Sequence, residues 1–437
     1  MDIREKRRIA GMLAKRLPDL GLEEVEDRRR GSGIDWPLPT IMRTVIVGLC
    51  CGCKSLAELE ELTRNMEPAM RRLLKIPRRL PDTTARDALV RQLPYEIRKP
   101  IRQMAYDALR RKCLPPEGLP FHVAAMDGKG SATPSWDHHY AQQKTYDDGQ
   151  QAHGLIRTVS VALVSTEAKL VLETVPIPAE TNEMGIFPVA FAAVLKKFRN
   201  SVRLFTYDAG VTSAENCRGV VDEGKDYLFR IKDDRWLVTQ EAKRLLGSVP
   251  KQKAAAHTED VLSKGARCGS LARSVHRYVF LRPVTAVPGF WTDLPGLKAL
   301  VRVLSEVEEN GQVVSSEDRY YISSLAEDRL EGWQWLALVR NHWAVENNCH
   351  WTFDAIFQED DHLWIEADAR GAVVMTLLRR IAYNLLSYYR SVTLRSEEKR
   401  TTPWRRLMSW VYATVVGASD LQLTGLCLRE RTVVADV

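Results

Sequence analysis

The side chains best suited to chemistry are concentrated in residues 338–361, LVRNHWAVENNCHWTFDAIFQEDD. This stretch contains no Gly or Pro, so its sequence predicts one continuous helix. His342, Glu346 and His350 recur every four residues, which at 3.6 residues per turn predicts imidazole, carboxylate and imidazole on one stripe. The pattern fits a catalytic site, a zinc hydrolase among the possibilities, or an ordinary amphipathic surface.

Two further acids follow runs of apolar residues earlier in the chain. Asp127 stands in FHVAAMDGKG and Asp208 in RLFTYDAG. The intervening sequence predicts the order β-β-β-α-β-α-β, in which Asp127 ends the first strand and Asp208 ends the fourth. Strands one and four of this order can lie side by side, so both carboxylates would emerge at the ligand-binding edge of an open α/β sheet.

Three acidic side chains at one edge would suit a pair of divalent metal ions. Carboxylate oxygens select Mg²⁺ or Mn²⁺ over softer ions. Two such ions activate an attacking oxygen and stabilise a leaving oxygen in phosphoryl transfer. Glu346 is the candidate for the third acid beside Asp127 and Asp208.

The basic residues are concentrated at the front of the chain. Residues 1–115 hold 25 Lys and Arg against 16 Asp and Glu, and the remainder holds 38 against 40. The front also reads as short helices separated by Pro and Gly. A basic helical unit of this kind predicts either a DNA-binding domain or a plain interaction module.

The complete pattern predicts an α/β protein with a mixed sheet and a β-rich insertion, preceded by an all-helical domain. The expected divisions are a helical domain over 1–115, the first part of the core over 119–233, the insertion over 234–325, the second part of the core over 326–391, and a basic C-terminal segment over 392–437.

Targeting signals and paired cysteines are not apparent. No run of eighteen apolar residues occurs, and the first thirty residues are too charged for a secretory signal. The eight cysteines lack paired CxxC spacing, which fits reduced thiols. We therefore expect a soluble cytoplasmic protein with no membrane association.

Several segments together resemble a known family. They are AMDGK (125–129), AETNE (179–183), YDAG (207–210), DYLFRIK (226–232), YYISSL (320–325) and RNHWAVENNCHWTFDAIFQED (340–360). They are similar to the DDE transposases of bacterial insertion sequences, of the H-repeat-associated type. The resemblance extends over roughly residues 20 to 390, and its last segment is the longest and most specific.

The resemblance implies a ribonuclease-H-like core and a Mg²⁺-dependent enzyme, with Mn²⁺ as substitute. Such an enzyme cleaves DNA at transposon ends and transfers the strands into target DNA. The catalytic and metal-binding acids carry over to Asp127, Asp208 and Glu346, and Asn182 and Glu183 match a pair that supports the site. The implied partner is double-stranded DNA, as terminal inverted repeats and as target, and the implied location is the bacterial nucleoid. Cutting two ends in concert predicts a homodimer on DNA.

The chain departs from the family's Tyr-x2-Arg-x3-Glu-x6-Lys signature around the Glu. Val339, His342 and Phe353 stand at the Tyr, Arg and Lys positions. The expected DNA contacts are Lys129, Arg340, His342, Trp343 and His350. For Trp343 the alternative to a DNA contact is packing in the core. For His350 the alternatives are packing and orientation of the Glu346 side chain. The departures also keep a second function open, a catalytically inactive transposase-derived DNA-binding or regulatory protein.

Overall fold

The structure, a computed structural model, describes residues 1–29, 34–144, 153–234, 236–264, 272–284, 294–394, 396 and 400–426. Parts of the predicted basic C-terminal segment, residues 395, 397–399 and 427–437, lie outside the described residues. Cys268 and Cys427 also lie outside them, and the other six cysteines are free thiols.

The front of the chain folds into six helices. They are α1 (Ile3–Arg16), α2 (Leu38–Cys51), α3 (Leu56–Asn65), α4 (Pro68–Leu74), α5 (Asp82–Leu89) and α6 (Pro94–Arg110). Gly52 ends α2 because it adopts a φ of 85°, a left-handed conformation that favours glycine. Among the described residues no single helix has the length and apolar composition to span a membrane, although α2 and α3, bent by 93°, meet those criteria as a pair.

A mixed sheet begins after these helices, and its first strands form the predicted core. The elements are β1 (His122–Thr133), β2 (Ala141–Lys144), β3 (His153–Leu163), β4 (Val171–Ile177), α7 (Glu183–Phe198), β5 (Val202–Tyr207), α8 (Ala214–Asp222) and β6 (Asp226–Ile231). Strand β3 pairs antiparallel with both β1 and β4, whereas β5 is parallel to β1 and to β6. The order β4-β3-β1-β5-β6 is that of a ribonuclease-H-like sheet. It confirms the predicted α/β class and the neighbouring first and fourth strands, with β2 as a short addition.

The segment predicted as a β-rich insertion continues this sheet. It contains α9 (Leu237–Leu246), β7 (Ala256–Lys264), β8 (Ala272–Pro283), β9 (Ala299–Glu309) and β10 (Gln312–Ser323). Strand β10 pairs antiparallel with β6, from Tyr320 opposite Ile231 to Ser323 opposite Leu228. The sheet therefore reaches ten strands, and the insertion is joined to the core by backbone hydrogen bonds.

The last helices connect the sheet with the front of the chain. They are α10 (Gly332–His342), a π-helical turn (Val345–His350), α11 (Trp351–Ala355), α12 (Ala369–Tyr388) and α13 (Trp404–Gly417). Helix α12 is buried along nearly its whole length, packing against α2, α6 and β4, and α13 packs against α1 and α2. The front helices and the sheet therefore share one hydrophobic core.

Candidate active site

Asp127 and Asp208 lie on adjacent strands at the same edge of the sheet. Strands β1 and β5 pair in parallel as far as Ala125 opposite Thr206, so both acids stand just beyond the last pair. Asp208 follows the end of β5, as predicted. The expectation that Asp127 ends β1 is wrong, because β1 continues to pair with β3 as far as Thr133.

His350 holds the Asp127 carboxylate in place. Its Nδ1 lies 3.1 Å from Asp127 Oδ2, and Asp127 Oδ1 accepts a hydrogen bond from the Gly128 amide at 2.9 Å. The His350 residue is 6% exposed, and its buried Nε2 has no hydrogen-bond partner among the described residues. His350 therefore orients Asp127. This role differs from the orientation of Glu346 and from the DNA contact predicted for His350.

Asp208 is anchored by a cation of the neighbouring strand. Arg230 Nη1 donates a hydrogen bond to Asp208 Oδ1 over 3.3 Å. The same guanidinium lies 5.6 Å from the ring centroid of Trp343, and Arg319 lies 4.5 Å from it on the sheet. Trp343 is thus packed near two cations, and its indole N–H is buried with no hydrogen-bond partner within the described part of the chain. This placement favours the packing alternative, and the DNA contact of Trp343 stays a prediction.

The predicted continuous helix over 338–361 is wrong. A π-helical turn interrupts it after α10, and the left-handed φ of 51° at Gln358 follows the end of α11. Because a π turn closes hydrogen bonds over five residues, it shifts the side chains beyond it around the helix axis. His342 and His350 are consequently buried at 4% and 6% exposure, whereas Glu346 is exposed. The three side chains do not form the expected stripe, which removes the basis for the zinc hydrolase alternative.

His342 is a neutral, buried histidine. Its Nδ1 lies 3.0 Å from the hydroxyl oxygen of Thr206, the residue two before Asp208. Burial lowers the pKa of His342 to about 4, although the charges of Asp127 and Asp208 act in the opposite direction. This buried, uncharged imidazole packs α10 against β5. The predicted contact of His342 with DNA stays a prediction, and the buried position does not support it.

Lys129 and Arg340 differ in their access to solvent. The Lys129 side chain is 6% exposed, and its ammonium lies 2.6 Å from Asp354 Oδ1 and 2.8 Å from Asp360 Oδ1. These pairs tie β1 to the segment around α11. The Arg340 side chain is 49% exposed, and its guanidinium lies 3.1 Å from Asp260 on β7. Of these two predicted DNA contacts, Arg340 is the one that reaches solvent.

The sequence predicts only a supporting role for one further acid, Glu183. Glu183, the first residue of α7, lies against Gly128, where an added Cβ would overlap its carboxylate. Burial raises the pKa of Glu183, and the negative charges of Asp127 and Asp208 raise it further. Two features of the sequence indicate that Glu183 can reach the site: the glycine directly after Asp127, and Asn182, which caps α7.

The sequence pattern of the transposase DDE domain matches residues 120–385, which include every acid described above. The chain belongs to the DDE transposase family. Helix α12 and the sheet strands from β1 to β10 fall within the matched region.

Similar proteins have been described in Escherichia coli. YbfL and YhhI of strain K12, the second named as an H repeat-associated transposase, are each 25% identical over 270 residues, or 61% of this chain and 64% of theirs. The chain thus spans less than two thirds of these relatives. A piggyBac transposase synaptic complex with hairpin DNA, solved by cryo-EM, aligns with a TM-score of 0.41 at 12% identity, covering 99% of this chain and 83% of that one.

DDE transposases generally use divalent metals, and the donor set here fits such ions. Asp127 and Asp208 supply carboxylate oxygens, and the pKa of Glu183 is raised first by burial and then by the negative charges of these two acids, which a cation would offset. Over the described ranges no three His, Cys, Asp or Glu side chains already converge to hold a metal. Mg²⁺ does not need such a cage, because it keeps several waters and takes one or two carboxylates plus substrate phosphates.

Proposed function

We propose that this DDE transposase cleaves DNA at the ends of a mobile element and transfers the strands into target DNA. The observation that carries the proposal is the placement of Asp127 and Asp208 on adjacent parallel strands, at one sheet edge, inside a DDE domain. Ligands bind at this kind of edge in α/β sheets. The distinct anchors of the two acids, His350 and Arg230, support a site whose geometry is set before substrate arrives.

The catalytic roles follow from the acids and their neighbours. Asp127 and Asp208 would hold Mg²⁺, with Mn²⁺ as substitute, and Glu346 is the third acid by the family resemblance. When bound, the cation supplies charge stabilisation for the transferred phosphoryl group and lowers the pKa of the attacking water. His350 keeps Asp127 oriented, and Glu346 on the π turn is exposed to solvent, where a substrate can reach it.

The proposed partner is double-stranded DNA, both as terminal inverted repeats and as target. Arg340 is the exposed cation closest in sequence to Glu346, and the other proposed contacts are Lys129, His342, Trp343 and His350. The basic excess of residues 1–115 supports a DNA-binding role for the front helices. Concerted cutting of two ends requires two active sites, so we propose a homodimer on DNA, associated with the nucleoid in a bacterial cytoplasm.

The test is cleavage of a labelled duplex carrying the element's terminal repeat, in Mg²⁺, Mn²⁺ or EDTA. We expect metal-dependent nicking at the repeat boundary, reduced at least about a hundredfold in Asp127→Asn and in Glu346→Gln. Glu180→Gln is the matched control, because Glu180 is an exposed acid three residues before Glu183 that pairs with His139. Cleavage by Asp127→Asn at the unchanged rate would refute the proposal.

A second function is favoured by the solvent exposure of Glu346. Together with Val339 and Phe353 at signature positions, it supports a transposase-derived protein that binds DNA without cutting it. Tight binding of the repeat with no nicking in either metal, unchanged by Asp127→Asn, is the result that would select this alternative.

A further inference from the structure

The first turn of α7 brings another carboxylate to the sheet edge that carries Asp127. Asn182 caps α7 by accepting a hydrogen bond from the Gly185 amide at 3.0 Å, which fixes where Glu183 begins the helix. A Cβ added to Gly128 would fall within 2.9 Å of both carboxylate oxygens of Glu183. The absence of a side chain at Gly128 therefore makes room for this carboxylate against β1, one residue beyond Asp127.

Unpartnered polar groups surround the same point. Tyr207 precedes Asp208, is 1% exposed, and carries a hydroxyl with no hydrogen-bond partner among the described residues. Its ring centroid lies 5.8 Å from that of Phe187 on α7, the helix that Glu183 begins. The buried Nε2 of His350 is likewise unpartnered. A buried polar group without a protein partner can bind a water or a ligand group at the site, which compensates the cost of its burial.

We propose that Glu183 is a further acidic residue of the catalytic centre, and that its carboxylate contributes with Asp127 and Asp208 to holding a divalent cation. The inference rests on the proposed function, which supplies the cation. The family resemblance implies three acids, and this inference adds a fourth. The fourth acid is contributed by α7, whereas Glu346 follows the β-rich insertion.

Charge balance supports this assignment. Two groups that can carry positive charge act on Glu183 from within the fold: Arg157, whose Nη2 donates a hydrogen bond to the carbonyl oxygen of Thr181 at 2.6 Å, and His350. The negative charges of Asp127 and Asp208 act on Glu183 in the opposite direction. A half-buried carboxylate beside two others favours a hard divalent cation with oxygen ligands.

The test measures Mn²⁺ binding to the full chain without DNA, by electron paramagnetic resonance of free Mn²⁺. Glu183→Gln keeps the shape of the side chain and removes its charge, and we expect Mn²⁺ affinity to fall at least about tenfold. Gly128→Ala displaces the same carboxylate from the other side and should weaken binding comparably. Glu180→Gln, the exposed control three residues away, should bind Mn²⁺ as the unchanged protein does.

The outcomes separate this inference from the proposed function. If Asp127→Asn loses Mn²⁺ affinity while Glu183→Gln and Gly128→Ala keep it, the role of Glu183 is refuted and the proposed function stands. If Asp127→Asn binds Mn²⁺ as tightly as the unchanged protein, the metal-dependent function itself is refuted. Loss of affinity in all three variants, with Glu180→Gln unaffected, supports both.

Discussion

Among the individual residues of the site, His342 is the one whose chemistry burial changes most. Its imidazole is enclosed between α10 and β5, where its Nδ1 lies within hydrogen-bond distance of the Thr206 hydroxyl. The two aspartates favour its charged form, yet burial prevails and lowers its pKa to about 4. Desolvation of the charged ring therefore outweighs the attraction of acids at a greater distance.

This lowered pKa predicts how stability depends on pH. Because the folded pKa of about 4 lies below the ordinary value of 6.5, the unfolded chain binds an extra proton between these two values. The free energy of unfolding is therefore unaffected by the titration of His342 above pH 6.5. It decreases as pH falls toward 4, by up to about 3 kcal/mol. Urea unfolding at several pH values measures this loss.

The variant that checks it is His342→Gln, which retains a hydrogen-bonding group but does not titrate. We expect its free energy of unfolding to vary less between pH 6.5 and 4 than that of the unchanged protein. His139→Gln, which removes an exposed imidazole, should leave the dependence intact. An identical pH dependence in His342→Gln and the unchanged protein would contradict the assignment.

Among the elements, α12 is supported by charges buried beside it. Arg380 is fully buried, forms an ion pair with the buried Glu359, and lies with its guanidinium carbon 3.8 Å from the ring centroid of Phe353. Arg379 is also fully buried, and burial lowers its pKa to about 10. The charge of Glu359 thus compensates the cations of α12. These contacts attach α11 and the segment after it to α12, next to the π turn.

Removing that compensation should destabilise the protein strongly. For Glu359→Gln we expect a loss of about 3–5 kcal/mol in the free energy of unfolding, because Arg380 would remain buried without its partner. Glu241→Gln breaks a surface pair with Arg244 and should cost less than about 1 kcal/mol. Chemical denaturation of both variants measures the difference, and equal small losses would show that the buried pair contributes little.

For the molecule as a whole, the front helices and the last helices form a single packed layer. Helix α12 contacts α2, α6 and β4. Near the chain start, Lys6 Nζ donates a hydrogen bond to the Gly417 carbonyl oxygen at 2.6 Å, and Arg16 lies over the ring of Tyr388 at 4.6 Å. A basic helical front of this kind is part of the structural core as well as a candidate DNA-binding surface.

The shared core predicts that the remainder of the chain does not fold alone. A protein lacking residues 1–110 would expose the buried side of α12 to water, so we expect it to lose cooperative thermal unfolding and to aggregate. Circular dichroism and size-exclusion chromatography measure this, and addition of the separate 1–110 chain should restore part of the folded signal. If the shortened chain unfolds cooperatively at the same temperature as the full chain, residues 1–110 are dispensable for folding.

Local patterns determined much of this protein. The pattern of apolar residues in residues 119–233 predicted the order of strands and helices in the structure except for the short β2, because period-two and period-3.6 patterns depend on neighbouring residues alone. The same patterns placed Asp208 at a strand end and predicted that its strand lies beside that of Asp127. The family resemblance rested on short motifs that are equally local.

Only the tertiary structure decided how the acids and histidines are arranged. The π turn cannot be read from a run that lacks Gly and Pro, and it separates His342 and His350 from Glu346 by burying two and exposing one. Glu183 reaches the site because α7 packs where Gly128 leaves space, a contact between residues 55 positions apart in the sequence. Sequence spacing sets the face of one regular helix, whereas the meeting of distant side chains depends on how strands and helices pack.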